Sequence, residues 1–125
     1  MKRNLLILLL LASLVSCKKE DQTGDGQMPI IRLTAPTNNQ AFSPGETITI
    51  SATITDNVIV REVHLEIINT TTGTFLAHEH FSPNAASYEL SKTFVAQANA
   101  TYKIKVEAED GHRNNARSEV SISSK

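Results

Sequence analysis

The sequence predicts an all-β fold, a sandwich of seven to eight short antiparallel strands. From residue 28 onward Thr, Ile, Val and Ser dominate, and apolar residues alternate with polar ones in the period of a half-buried strand. Pro, Gly, Asn and Asp interrupt this alternation at short intervals, as turn-forming residues do. No helical period is visible in this part of the chain, so helices are not expected there.

The strands follow from the alternation, in order along the chain. The expected ranges are 29–34, 46–55, 60–68, 74–81, 87–95, 101–109 and 117–123. The side chains expected to face the core are Ile48, Ile50, Ala52, Ile54, Val63, Leu65, Ile67, Phe75, Ala77, Phe81, Tyr88, Leu90, Tyr102, Ile104, Val106, Ala108, Val120 and Ile122. The turns between the strands include 35–39, 43–45, the corner Asp56-Asn57, the hairpin loop 69–73, and 82–86, where Pro83 ends the strand.

The first seventeen residues form a separate segment. Lys2 and Arg3 precede an apolar run over 5–15, which is too short to span a bilayer and matches the core of a secretion signal. The run ends in Leu-Val-Ser-Cys at 14–17, which resembles the lipobox of bacterial lipoproteins. That resemblance implies a signal peptide over 1–16 and a lipidated Cys17 as the mature N-terminus. A secretion signal with an incidental cysteine is the alternative.

Residues 17–28 are interpreted as the lipidated cysteine and a flexible linker, because they are polar and contain nothing to bury. Lys19-Glu20-Asp21 looks like the short signal that sends some Bacteroidota lipoproteins to the outer-membrane surface; a plain solvated tether is the alternative. The expected location is therefore the outer membrane, with the lipid anchor as the membrane contact. One domain, residues 29–125, follows the linker.

Composition and motifs exclude several functions. The formal net charge is −1, with no basic face for nucleic acid. Cys17 is the one cysteine, so the chain forms no internal disulfide and no multi-thiolate cofactor site. Motifs for a nucleophile elbow, a phosphate loop or a zinc-protease helix are missing, so no catalysis is expected. Exposed aromatic residues are scarce, which argues against carbohydrate binding.

The hairpin over 60–81 offers the one chemical cluster. Burial of its apolar residues turns His64, His78, His80 and Glu62 to the outer face of the sheet. With a three-residue loop, His64 is expected opposite His78, and Glu62 opposite His80, at cross-strand contact distance.

Imidazoles from neighbouring strands can converge on Zn²⁺ or Cu²⁺, with Glu62 as an oxygen ligand. The alternative is an ordinary polar outer face, and Lys103 and Lys105 on a neighbouring strand would oppose a cation. Glu79 is expected to point inward, as a charge that protects an edge strand from further pairing.

Two weaker sites lie in the end loops. Asp56, Glu109 and Asp110 are acidic residues of the kind that bind Ca²⁺ between domains in some arrays, but this chain has one domain. His112 lies in a loop and is expected to be solvated.

Two stretches carry a resemblance to bacterial immunoglobulin-like domains. The first combines Leu-Thr-Ala-Pro at 33–36, an Ile-rich strand over 47–52 and Asp56-Asn57-Val58. The second is the Tyr-x-Ile-x-Val-x-Ala-x-Asp pattern over 102–110. The resemblance covers about residues 29–123 and implies an immunoglobulin-like β-sandwich, with Tyr102 as the tyrosine-corner residue whose hydroxyl bonds the backbone.

A narrower resemblance is to small histidine-containing Bacteroidota lipoproteins of unknown function. It rests on Val-His-x-Glu-Ile at 63–67, His-Glu-His at 78–80, and Thr101-Tyr102. That family often carries further histidines where this chain has Lys103 and Lys105. The expected function is a non-catalytic, lipid-anchored envelope module that binds a protein partner or serves as a structural accessory. The alternative is a Zn²⁺- or Cu²⁺-binding lipoprotein.

Overall fold

The computed structural model describes residues 26–125, so the expected signal peptide, Cys17 and most of the linker lie outside the described part. Seven strands make up the domain, and no helix occurs among these residues. The strands are β1 (Ile30–Ala35), β2 (Ala41–Phe42), β3 (Thr47–Asn69), β4 (Thr74–Phe81), β5 (Ala85–Val95), β6 (Ala100–Asp110) and β7 (Asn115–Ser124). The predicted all-β fold is confirmed.

Strand β3 is shared by two layers. Residues 47–55 pair with β1 on one side and β5 on the other, whereas residues 60–69 pair with β4 and β6. The second layer continues from β6 to β7 and then to β2. Two expected strands are thus one continuous strand, which changes partners at the predicted corner. Asp56 stabilises this corner by accepting hydrogen bonds from the backbone N–H groups of Val58 and Ile59, both at 2.8 Å.

The pairing is antiparallel throughout except at one place. The two-residue strand β2, which the sequence did not predict, lies parallel to the end of β7. Ala41 aligns with Ser123, and Phe42 aligns with Ser124. This short contact attaches the 36–46 segment to the edge of the second layer.

The core lies between the layers and is formed mainly by the inward side chains of β3 and β6, with contributions from β4, β5 and β7. Most of the predicted core residues are buried, and those of β3 and β6 are nearly inaccessible to solvent. The fully buried set includes Ile48, Ile50, Ile54, Val60, Val63, Leu65, Ile67, Ile104 and Val106. Phe81, Tyr88 and Val120 are partly buried at its margin. Phe75 was expected inside and is instead 56% exposed.

Tyr102 closes one end of the sandwich. Its side chain is buried, and its ring meets Phe94 edge-on at a centroid distance of 5.0 Å. The backbone N–H of Gln97, five residues earlier, donates a hydrogen bond of 2.8 Å to the Tyr102 hydroxyl. The expected tyrosine corner is therefore present.

Asp110 closes the opposite end. Its carboxylate accepts hydrogen bonds from the backbone N–H groups of His112 and Asn114 and from the Asn114 side-chain amide. Burial raises the pKa of Asp110, but these hydrogen bonds stabilise the ionised form more strongly, so the pKa lies below its ordinary value.

One side of the sandwich is closed by an ion pair. Strands β4 and β5 each pair with β3 alone among residues 26–125, so each is an edge strand. Glu79 of β4 alternates with outward histidines and contacts the ammonium of Lys92 on β5. The inward edge charge expected at Glu79 is present, and it forms an ion pair with Lys92. No helix within the described residues has the length and apolar character needed to cross a membrane.

Replacing Tyr102 with Phe should destabilise the domain by about 1 kcal/mol, because the Gln97 N–H loses its partner while the buried ring remains. Urea unfolding followed by circular dichroism measures this as a lower midpoint with an unchanged slope. Tyr88→Phe is the matched control, since Tyr88 lies at the core margin. Equal midpoints for the two variants would contradict the role given to the hydroxyl.

Asp110 should make the domain less stable in acid. Its folded pKa is lower than its unfolded pKa, so its contribution is complete above about pH 4 and is lost as the pH falls through the folded value. Urea midpoints measured between pH 7 and pH 2.5 should therefore fall less steeply for Asp110→Asn than for the wild type. Parallel curves for the two proteins would show that Asp110 does not contribute.

Candidate functional site

The four predicted site residues lie on the outer face of the second layer. Glu62 and His64 belong to β3, and His78 and His80 belong to the neighbouring strand β4. Their neighbours Val63, Leu65, Ile67 and Ala77 are buried, so alternation along both strands directs the site residues outward. The predicted face is therefore correct.

The predicted register is wrong by two residues. His64 lies opposite His80, and Glu66 lies opposite His78. Asn69 pairs with Thr74, so the loop has four residues instead of three. A bulge at Leu76 adds one more residue, since Ile67 pairs with Ala77 and Ile68 with Phe75.

The hairpin loop is held by Asn69, whose side-chain oxygen accepts hydrogen bonds from the backbone N–H groups of Thr71 and Thr72. Gly73 then turns the chain with a φ of 74° and donates its N–H to the Asn69 carbonyl at 2.7 Å. The bulge explains why Phe75 is exposed, because the extra residue turns it to the outer face, with its ring 6.1 Å from that of His78. Three consecutive apolar residues, 75–77, were the sequence signal for this bulge.

Three of the four residues converge. The His80 Nδ1 and His64 Nε2 atoms are 3.2 Å apart, and the Glu62 Oε1 atom is 3.6 Å from His64 Nε2. One ligand atom from each of Glu62, His64 and His80 lies within 4.8 Å of the others. Glu62 and His64 are half-buried, while His80 is exposed. We call these three residues the Glu62–His64–His80 cluster.

His78 stays outside this cluster. Its ring stacks on that of His80, with centroids 5.1 Å apart and planes inclined by 18°. Its Nε2 atom is 3.9 Å from Glu66 Oε1, and its side chain is 53% exposed. The structure therefore separates His78 from the other predicted ligands and places it beside Glu66, which was not among the predicted ligands.

The lysines on β6 are paired with carboxylates. Lys105 lies 2.5 Å from Glu66, and Lys103 lies 3.4 Å from Glu119 of β7. The hydrogen bond from Lys105 lowers the pKa of Glu66 despite the opposing effect of burial, and the same bond raises the pKa of Lys105. Both groups stay ionised near neutral pH, so the lysine charge beside the cluster is locally balanced.

A shallow depression borders the cluster on its β6 side. Its lining includes His64, Glu107 and Glu109, with Asn115 and Arg117 across from them on β7. Glu109 is paired with Arg61. The depression leaves the His64 side of the cluster open to solvent, so an ion in solution can reach it.

The acidic residues of the end loops form hydrogen bonds or ion pairs within the domain. Asp110 accepts three hydrogen bonds, one oxygen of Asp56 accepts two backbone N–H groups, and Glu109 pairs with Arg61. His112 is exposed, and its backbone N–H is bonded to Asp110.

Several solved structures are similar to this chain. A fibronectin(III)-like module structure of Clostridium thermocellum CbhA is 23% identical, with a TM-score of 0.48; the match covers 76% of this chain and 45% of that one. This chain thus spans less than half of that structure's length. A superoxide reductase (neelaredoxin) from Ignicoccus hospitalis is 13% identical, with a TM-score of 0.50 and coverages of 77% and 80%.

A β-glucosidase from Listeria innocua is also similar, at 11% identity and a TM-score of 0.45, with 76% of this chain matching 16% of that one. No curated protein matches this chain. Residues 29–106 match the family model described as bacterial Ig domain, whose members are typically non-catalytic. That match covers more than half of the chain and agrees with the observed sandwich. The chain therefore belongs to the bacterial Ig domain family.

Proposed function

We propose that the protein is a non-catalytic immunoglobulin-like module, attached to the outer membrane by lipid on Cys17, where it binds an envelope protein or acts as a structural accessory. The observation that carries this proposal is the bacterial Ig domain sandwich, a fold that fits a binding or structural module. The lipobox-like Leu-Val-Ser-Cys at 14–17 supports the anchor, and the polar residues 18–28 provide a tether to the domain.

The two outer faces of the sandwich offer different contact surfaces. The outward positions of the first layer are mostly hydroxyl residues: Thr34, Thr47, Thr49, Ser51, Thr53, Thr55, Ser87, Ser91 and Thr93. The same face carries one cation, Arg32, one carboxylate, Glu89, and the exposed apolar residues Ile30 and Val95, so its charges balance. The second layer instead presents histidines and paired charges around the Glu62–His64–His80 cluster. A partner that recognises charge would therefore contact the second layer.

The lipid anchor is tested by metabolic labelling with an alkyne palmitate analogue in a bacterial host that processes lipoproteins. The wild-type protein should carry the label and sediment with membranes. Cys17→Ser should remove the label and release the protein, because Cys17 is the one thiol available for acylation. Label retained on Cys17→Ser, or a wild-type protein that is never labelled, would refute the anchor.

A second candidate function is transition-metal binding, favoured by the Glu62–His64–His80 cluster. In a tetrahedral Zn²⁺ site with bonds of about 2.1 Å, neighbouring ligand atoms are about 3.4 Å apart. The His64–His80 distance of 3.2 Å and the His64–Glu62 distance of 3.6 Å are close to this spacing. Two imidazoles and a carboxylate form a ligand set that suits Zn²⁺ or Cu²⁺.

Calorimetric titration of residues 18–125 with Zn²⁺ and with Cu²⁺ tests this candidate. We expect saturable binding of one ion per chain, with the affinity lowered at least tenfold in His64→Ala and in His80→Ala, since each variant removes one ligand. His112→Ala is the matched control, because His112 is an exposed loop histidine. Binding that survives both substitutions, or is lost equally in His112→Ala, would contradict the site.

A further inference from the structure

The Glu62–His64–His80 cluster is incomplete as a metal site. It supplies three ligand atoms, whereas Zn²⁺ in proteins is usually held by four ligands in a tetrahedron. Besides its opening beside His64, the cluster is accessible from the edge of the sheet, because His80 is exposed and lies on β4. A fourth ligand from a second molecule would approach from that edge.

His78 has the properties of such a ligand. It lies two residues from His80 on the same face of β4, and its side chain is 53% exposed. It does not join the cluster of its own chain, and its nearest carboxylate, that of Glu66, is already paired with Lys105. His78 is therefore accessible to a metal ion held by another molecule.

Strand β4 is available for pairing along one side. Among the described residues it pairs with β3 alone, so its other side presents backbone N–H and C=O groups to an incoming strand. If two β4 strands pair antiparallel about a two-fold axis at Glu79, His78 of each copy lies opposite His80 of the other. Directly opposed residues in such a pair share a face, with Cβ atoms about 5 Å apart.

We propose that a divalent transition metal joins two copies of this chain edge to edge through β4, with His78 of each copy completing the Glu62–His64–His80 site of the other. The inference rests on the metal site proposed above and assigns it a partner. The arrangement is closed, because both copies use the same surface and two ions occupy two equivalent sites.

The same register explains why pairing requires the metal. It places the two Glu79 carboxylates opposite each other at the two-fold axis, on the inner side of the sheet. Like charges directly opposed across strands are destabilising, although each Glu79 keeps its contact with Lys92. The metal-free edge therefore resists pairing, and the ligand bonds of two ions supply the attraction that overcomes this resistance.

The test is sedimentation velocity of residues 18–125, which contain all seven strands and the complete core. The samples are the wild type, His78→Ala and the control His112→Ala, each in EDTA, in excess ZnCl₂, and in ZnCl₂ followed by EDTA. We expect the wild type and His112→Ala to be monomers in EDTA and dimers in Zn²⁺, and to return to monomers when EDTA is added. His78→Ala should bind Zn²⁺ but dimerise at least tenfold more weakly.

Calorimetry on the same samples separates the two possible failures. A wild type that binds Zn²⁺ and remains a monomer would overturn the dimer and leave the metal site standing. Absence of Zn²⁺ binding would overturn both. A zinc dimer as strong in His78→Ala as in the wild type would overturn the assignment of His78 as the fourth ligand.

Discussion

The fold depends on strand β3, whose inward side chains serve both layers. Its inward residues, from Ile48 to Ile67, are nearly all fully buried, and each such aliphatic side chain contributes roughly 1.5–3 kcal/mol of transfer free energy. The alternation is interrupted at residues 56–62, where the strand changes partners and its register shifts twice. The buried positions are therefore even-numbered up to Val60 and odd-numbered from Val63 onward. Within each half of the strand, burial on the inside therefore determines which residues face outward. His64 and Glu62 are on the surface because Val63 and Leu65 must be in the core.

The layers, the inward faces and the tyrosine corner were predictable, since each follows from period-two alternation or from a local pattern such as that around Tyr102. The register of the hairpin was not predictable from alternation. It depends on the length of the loop and on a bulge, and the free energy of forming that bulge is set by how the side chains pack. Phe75 shows the limit: alternation places it on the same inward face as Ala77, whereas the bulge turns Phe75 outward and leaves Ala77 buried. The short parallel contact of β2 involves two residues, too few for a pattern.

The charged side chains around the histidines are mostly paired with side chains of opposite charge. Glu66 with Lys105, Glu119 with Lys103 and Arg117, and Glu109 with Arg61 form ion pairs on the outer face of the second layer. Exposed pairs of this kind contribute little to stability. Their effect is on the local field, since they balance the lysine charges that would otherwise repel a cation from Glu62, His64 and His80. Edge strand β4 carries both the outward histidines and the inward, ion-paired Glu79.

The hairpin also shows how β4 keeps its alternation of inward and outward side chains in register with the core. The loop is one residue longer than a simple count suggests, and the bulge at Leu76 inserts one more. Either insertion alone would shift β4 by an odd number of residues and turn His78 and His80 into the core, with Glu79 on the surface. Together they make an even shift, which preserves the face of every residue from 77 to 81. The bulge thus compensates for the extra loop residue, and a change of loop length by one residue would keep these faces only if the bulge changed with it.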